Sequence, residues 1–276
     1  MYSKVYVEIT NTCNMNCSFC HGTKRPPKRM NYEEFETILK KLKPHTNYVY
    51  YHLMGEPLTH PDLESFIQLA TDMNFKSVIT TNGTLLKEKG HILINQRVHK
   101  VSISLHSFEG NDKNLHLKYL NEVADFAKQA NKQGIIVVLR LWNKGYDNGK
   151  NDETIEFLKN NIDGEWKANT KGLRIKDRLF LEYGERFGWP DKDAAIQGDS
   201  IFCYGLRDHF GILSDGTVVP CCLDSEGYIT LGNIFEDNIE DILDSKRAKA
   251  MVKGFNQRSA AEELCKRCAY AQRFSK

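Results

Sequence analysis

No stretch of this 276-residue chain approaches the apolar length needed to span a bilayer, and the opening Met-Tyr-Ser-Lys-Val-Tyr-Val-Glu has no signal-peptide core. A cytoplasmic protein with no membrane association is expected. Charge of one sign is also scarce: 38 Lys and Arg against 36 Asp and Glu leave a formal +2, which argues against nucleic acid or an anionic membrane as partner. A small-molecule or peptide substrate is favoured. There is no internal repeat and no low-complexity tract, so neither a repeat array nor a biased segment is expected. With 41% apolar residues, the length suits one large core plus a small appendage.

Cysteine, by contrast, is plentiful. Eight cysteines in a reducing compartment do not suggest a disulfide framework and read instead as metal or redox ligands. Two groups have ligand spacing: Cys13, Cys17 and Cys20 in Cys-Asn-Met-Asn-Cys-Ser-Phe-Cys, and Cys265 with Cys268. Cys-rich loops hold iron–sulfur clusters through thiolates, and three thiolates cannot fill the four corners of a cubane. One iron is then left open for something that reacts. Read bare, the same spacing also fits a zinc site short of one ligand.

Strand-like runs at 5–10, 48–54, 75–81, 100–106, 135–142 and 173–181 alternate with stretches carrying apolar residues at helical spacing, such as Phe35, Ile38, Leu39 and Leu42. The pattern is βα repeated. Asn31 with Glu34 reads as a capping box, Pro44 as a barrier to the first helix and Gly134 as a helix stop. Strands rich in β-branched residues suit a parallel sheet covered by helices, and six units are too few for a closed eight-fold barrel. The expected fold class is α/β, a partial (β/α)6 TIM-like barrel over residues 1–194, with chemistry at the carboxyl ends of its strands. A second unit is expected over 195–276, made of a β-hairpin around Asp215-Gly216, one helix carrying Ile239, Ile242, Leu243 and Met251, and the Cys265/Cys268 pair.

Two short motifs follow the second and third strand-like runs: Met54-Gly55-Glu56-Pro57 and Thr80-Thr81-Asn82-Gly83-Thr84. Either alone is ordinary turn chemistry. In this order behind the Cys13/Cys17/Cys20 loop, they make the chain resemble the radical S-adenosylmethionine (radical SAM) superfamily across about residues 3–182, with Met54 where the motif usually has Gly. The resemblance implies a 4Fe-4S cluster at the three cysteines whose open iron chelates the amino and carboxylate groups of S-adenosylmethionine. One electron from a donor such as flavodoxin or ferredoxin would then release a 5′-deoxyadenosyl radical that takes a substrate hydrogen atom. The resemblance further implies Phe19 against the adenine, Gly55, Glu56 and Pro57 at the methionyl amino group, Asn82 and Ser104 on the ribose or carboxylate, and Arg140 gripping the carboxylate in a fork. An ion pair with a barrel Glu is the plainer reading of Arg140.

Further along, Cys203-x12-Gly216-x4-Cys221, Leu231-Gly-Asn-Ile234 and Cys265-x2-Cys268 are similar to the twitch form of the SPASM auxiliary-cluster domain. This implies a second 4Fe-4S cluster held by Cys203, Cys221, Cys265 and Cys268 with no open iron; a four-Cys zinc is the alternative. Cys222 is left over. It reads as a packed thiol, a substitute ligand or, as in the radical peptide epimerases of this superfamily, a donor that returns a hydrogen atom to the substrate radical. The expected outcome is an oxidation, such as dehydrogenation of an alcohol or modification of a peptide side chain. Epimerisation through Cys222, RNA modification, and a non-enzymatic electron carrier or zinc scaffold stand as alternatives. The short N-terminal lead leaves little room for a leader-peptide domain, which tilts the substrate toward a small molecule or short peptide. Lys24-Arg-Pro-Pro-Lys-Arg29 reads as a solvated loop or a contact for an acidic group, and His21, His52 and His106 as rim residues or proton-transfer groups.

Overall fold

The computed structural model describes residues 1–108, 113–198 and 200–274. In chain order its elements are β1 (Lys4–Val7), α1 (Tyr32–Leu42), β2 (Tyr48–Tyr50), α2 (Leu63–Asp72), β3 (Lys76–Thr81), α3 (Leu86–Asn95), β4 (Lys100–Ser104), α4 (Lys113–Lys132), β5 (Ile136–Lys144) and α5 (Lys150–Asn161). There follow β6 (Lys167–Asn169), β7 (Gly172–Lys176), β8 (Leu179–Glu185), β9 (His209–Ile212), β10 (Thr217–Val219), β11 (Gly232–Asn233), α6 (Ile239–Leu243), α7 (Lys246–Asn256) and α8 (Glu263–Lys266). Among the described residues no helix is long and apolar enough to cross a membrane.

The strands form one sheet in the order β11-β10-β9-β1-β2-β3-β4-β5-β8-β7-β6. From β1 through β5 to β8 every neighbour is parallel, giving the six strands of a partial barrel. On the other side β9 runs parallel to β1, pairing Lys4 with His209 and Val7 with Ile212. The C-terminal unit therefore continues the barrel sheet instead of hanging from a linker, and the expected hairpin is present as β9 and β10 with Ile212 opposite Val218.

Local chemistry explains the helices. At α1, Asn31 Oδ1 accepts from Glu34 N while Glu34 Oε2 accepts from Asn31 N, both at 2.8 Å, a reciprocal cap of two orphan amides. The helix then buries Phe35, Ile38, Leu39 and Leu42 against the sheet, each contributing about 2 kcal/mol of apolar burial. Gly134, at φ +79°, ends α4 as expected.

Three elements differ from the sequence reading. The run 173–181 is two antiparallel strands: β7 turns at Asp177-Arg178, with Arg178 left-handed at φ +57°, and the sixth barrel strand is β8. No Gly or Asn marks that turn. The single helix expected around Ile239 to Met251 is α6 plus α7, divided where the Ser245 side chain caps α7 by accepting from Ala248 N. Helix α3 was not anticipated at all. Its buried stripe runs Leu86, Gly90, Leu93, and the glycine hides the period because Phe126 fills its place: a Cβ at Gly90 would lie 2.7 Å from the Phe126 ring.

Candidate active site

The Cys loop leaves the end of β1 and returns at Lys28, and its neck is closed by Asn11. The Asn11 amide donates to Pro26 O and accepts from Lys28 N, both at 2.8 Å. Above this neck the thiols rest on neighbouring strand ends. Cys13 Sγ accepts from Met15 N at 3.4 Å and from Asn82 Nδ2 at 3.8 Å, and the Cys17 thiol donates to Ser107 O at 3.7 Å. Burial pushes the Cys13 and Cys17 thiols up from their ordinary value. Phe19 packs on His106 with ring centroids 4.7 Å apart, and its carbonyl accepts from Trp189 Nε1 at 3.1 Å.

Two buried carboxylates brace the mouth of the barrel in different ways. Glu56 accepts from Leu58 N (3.1 Å), Thr81 Oγ1 (2.8 Å) and Asn82 N (2.7 Å), so its side chain ties the second motif to the third. Burial without a cation partner pushes Glu56 up to about 7. The preceding Gly55 has φ +76°, and a Cβ there would sit 2.2 Å from Thr10 O, so only glycine lets this turn lie against the neck of the Cys loop. Asn82 is likewise engaged, donating to Asn14 Oδ1 at 3.0 Å and accepting from Thr84.

Glu8 is fully buried and escaped the sequence reading. Arg25 Nη2 donates to both of its oxygens at 2.7 Å, Met54 N donates at 3.1 Å, and Ser214 adds its backbone N at 3.1 Å and its hydroxyl at 2.9 Å. One carboxylate thus joins β1, the Cys-loop arm, the Met54 turn and the C-terminal hairpin. The run 24–29 is solvated only in part: Lys24, Pro26, Pro27 and Arg29 are exposed, whereas Arg25 points inward to Glu8 and Lys28 pairs with Glu34 at 2.6 Å. His21 is similarly occupied, stacking on Trp189 at 4.8 Å and sharing a hydrogen bond with Ser225 at 2.7 Å.

Ser104, the last residue of β4, meets Arg140 from the middle of β5: Arg140 Nη2 donates to Ser104 Oγ at 3.0 Å and the guanidinium lies 4.4 Å from the Trp142 ring. Among the described residues, Arg140 Nε and His52 Nδ1 are buried with no hydrogen-bond partner. Burial, with Arg140 nearby, pushes His52 down to about 3, and burial takes His106 down to about 4. Both rings are neutral at physiological pH.

The four C-terminal cysteines come from separate stretches of chain to one place. Cys203 accepts from Gly205 N at 3.4 Å, Cys268 N donates to Cys265 O at 3.2 Å, and Cys203, Cys265 and Cys268 pack on the main core. Burial and the neighbouring thiols Cys222, Cys203, Cys268 and Cys265 push Cys221 well up. Cys222 packs instead with Tyr6 against Leu53, Leu213 and Val219, and the Tyr6 hydroxyl donates to its sulfur. All eight cysteines are free thiols, and among the described residues no three His, Cys, Asp or Glu side chains converge on a single metal ion. A cavity of about 650 Å³ runs between the two groups, lined by both sets of thiols together with Tyr6, His52, Ser104 and Arg140.

Family comparisons agree with this geometry. A model of the Radical SAM superfamily matches residues 7–164, and the SPASM iron-sulfur cluster-binding domain matches 203–269. The chain belongs to the radical SAM superfamily. Among curated relatives, a probable GTP 3′,8-cyclase of Methanocella arvoryzae is 23% identical over 273 residues, covering 87% of this chain and 88% of that one. Among solved structures, BtrN in complex with AdoMet and 2-DOIA is 17% identical with a TM-score of 0.61, covering 97% of this chain and 93% of that one. Streptococcus suis SuiB bound to precursor peptide SuiA is 17% identical with a TM-score of 0.62, covering all of this chain and 73% of that one. At these identities the two structures show a shared fold.

The cofactors of this radical SAM chain are S-adenosylmethionine and 4Fe-4S clusters, one in the N-terminal unit and the auxiliary one in the SPASM unit. The residues present fit them. Three thiols on one loop and four in a packed group are the donor sets that iron–sulfur ligation requires, and the orphaned Arg140 Nε leaves a buried donor unused by the protein.

Proposed function

We propose that the chain catalyses removal of a hydrogen atom from a substrate seated in the cavity between its two cysteine groups. When bound, the N-terminal cluster and S-adenosylmethionine supply the one-electron chemistry that breaks an unactivated C–H bond. Cys13, Cys17 and Cys20 would hold that cluster, with residues 1–194 as the catalytic unit. Phe19 would flank the adenine. Because the Glu56 carboxylate is spent on Thr81 and Asn82, the turn at Gly55, Glu56 and Pro57 would meet the methionyl group through its backbone. Asn82, Ser104 and Arg140 would take the ribose and carboxylate. In residues 195–276, Cys203, Cys221, Cys265 and Cys268 would hold the auxiliary cluster, and an external donor of the flavodoxin or ferredoxin class would deliver the electron.

The observation that carries this reading is the shared cavity: its volume is that of a small-molecule site, and a ligand in it lies between the two thiol groups. That placement suits oxidation of a small molecule or short peptide, with the auxiliary cluster accepting the substrate's electron. The anaerobically reconstituted, reduced protein is expected to cleave S-adenosylmethionine to methionine and 5′-deoxyadenosine. No cleavage at full iron loading would end the proposal.

A second reading is favoured by Cys222, whose thiol lines the cavity outside the four-cysteine group and is held by Tyr6. In epimerisation this thiol would return the hydrogen atom. In deuterated water the product would then carry solvent deuterium, and Cys222→Ala would abolish the label while keeping cluster iron. Unlabelled product from the wild type leaves oxidation standing alone.

A further inference from the structure

The interior of this barrel is polar where barrels of this kind are ordinarily filled by branched apolar side chains. On β4, Val101 and Ile103 join the apolar core while Lys100, Ser102 and Ser104 line the cavity; on β1, Val5 and Val7 are core while Lys4 and Tyr6 line it. Pleating sends alternate residues to opposite faces, so the cavity continues from the mouth down to the first residue of β4. Lys100 lies about 13 Å below Ser104, at some 3.3 Å per residue.

Charge between the mouth, where Arg140 pairs with Ser104, and this depth is unbalanced. Strand pairing sets Arg140 beside Glu182 and Glu182 beside Gly172, the neighbour of Lys171. Lys100 is surrounded by Arg140, Lys171 and Lys4, with Glu182 as the carboxylate in reach. Lys4 is engaged by Asp208 at 3.3 Å. Among the described residues no hydrogen bond or ion pair reaches the Lys100 ammonium, and Arg140 Nε is buried without a partner. Half-buried like charges that outnumber their carboxylates, here Lys4, Lys100 and Arg140 with Lys171 at the edge against Asp208 and Glu182, are costly, and the fold keeps them facing open cavity.

We infer that the floor of the barrel is a binding site for a compact anionic group, a carboxylate or phosphate carried by a small-molecule substrate, with Lys100 as its principal contact and Lys171 at its edge. This names the substrate class of the proposed enzyme and rests on that reading for its role in turnover. Burial and the surrounding cations lower the Lys100 ammonium from its ordinary value, and an anion there would raise it again.

Calorimetric titration of the reconstituted holoenzyme with inorganic phosphate, and separately with acetate, tests the site. Saturable binding at one site per chain is expected, weakening with added salt. Lys100→Met should weaken it about tenfold or more, Lys100→Arg should retain it within a few-fold, and Lys118→Met on the exposed face of α4 should leave it unchanged. The tighter of the two anions identifies the group the substrate carries. Absence of saturable binding to the wild type, or equal affinity in Lys100→Met, overturns the inference. Measuring 5′-deoxyadenosine in the same preparation keeps the two proposals apart: cleavage without anion binding removes only the site, and anion binding without cleavage removes only the enzymatic reading.

Discussion

The three N-terminal thiols hang on one loop, closed at its neck by Asn11 and touching the barrel through long sulfur contacts, with Cys13 exposed. The four C-terminal thiols come from positions 203, 221, 265 and 268, and Cys203, Cys265 and Cys268 are set by packing against the main core. A loop lets a ligand approach an incompletely held cluster; a packed group closes round a fully held one. Reactivity and insulation are thus produced by two kinds of support, local hydrogen bonds in one place and tertiary burial in the other. Glu8 and Arg25 couple the two supports, since one carboxylate holds both the Cys-loop arm and the hairpin that precedes Cys221.

The sharpest way to break this comparison is to remove one thiol from each group. Cys17→Ala should lose the N-terminal cluster's iron and all S-adenosylmethionine cleavage, whereas Cys265→Ala should lose auxiliary iron and keep the cleavage, both read by iron analysis and 5′-deoxyadenosine yield. Equal loss in the two variants would erase the distinction. The coupling is tested next by Arg25→Ala, which leaves the Glu8 carboxylate buried without its cation and should destabilise the fold by about 3–5 kcal/mol in denaturant unfolding.

Glu56 offers a contrast with Glu8, because its donors are all neutral. Its folded value of about 7 lies above its ordinary 4.5, so the folded state binds the extra proton between those values. This contribution to stability is present below pH about 4.5 and is lost as pH rises to about 7, a decline on the order of 3 kcal/mol. Unfolding of the metal-free protein followed across that range should show the slope, and Glu56→Gln should flatten it. The smallest effect is expected far from both cysteine groups: Gly90→Ala, pressing on Phe126, should cost about 1–3 kcal/mol and leave both iron contents at wild-type levels.

The parts of the site legible in the sequence were those whose chemistry is local. Thiol spacing, the Met-Gly-Glu-Pro turn and the Asn-Gly turn are read within a few residues, and the structure brings all of them to one end of the barrel. The βα order and the capping box at Asn31 were visible for the same reason. Glu8 and Arg25 were not, since seventeen positions and an unremarkable loop separate two residues whose meaning lies only in their contact. The cationic floor was written in the alternation Lys100-Val-Ser-Ile-Ser, yet the apolar half of that pattern dominated the reading. Helix α3 was lost to one glycine, and the turn before β8 to an arginine in a conformation that glycine or asparagine ordinarily marks.

Electron paramagnetic resonance of the reduced, reconstituted protein, recorded before and after addition of S-adenosylmethionine, tests most directly whether one cluster is open and the other closed. Two cluster signals are predicted, of which the one that survives in Cys265→Ala changes on addition and the other does not. Signals that both ignore the cofactor, or a preparation carrying zinc and no sulfide, would contradict the account.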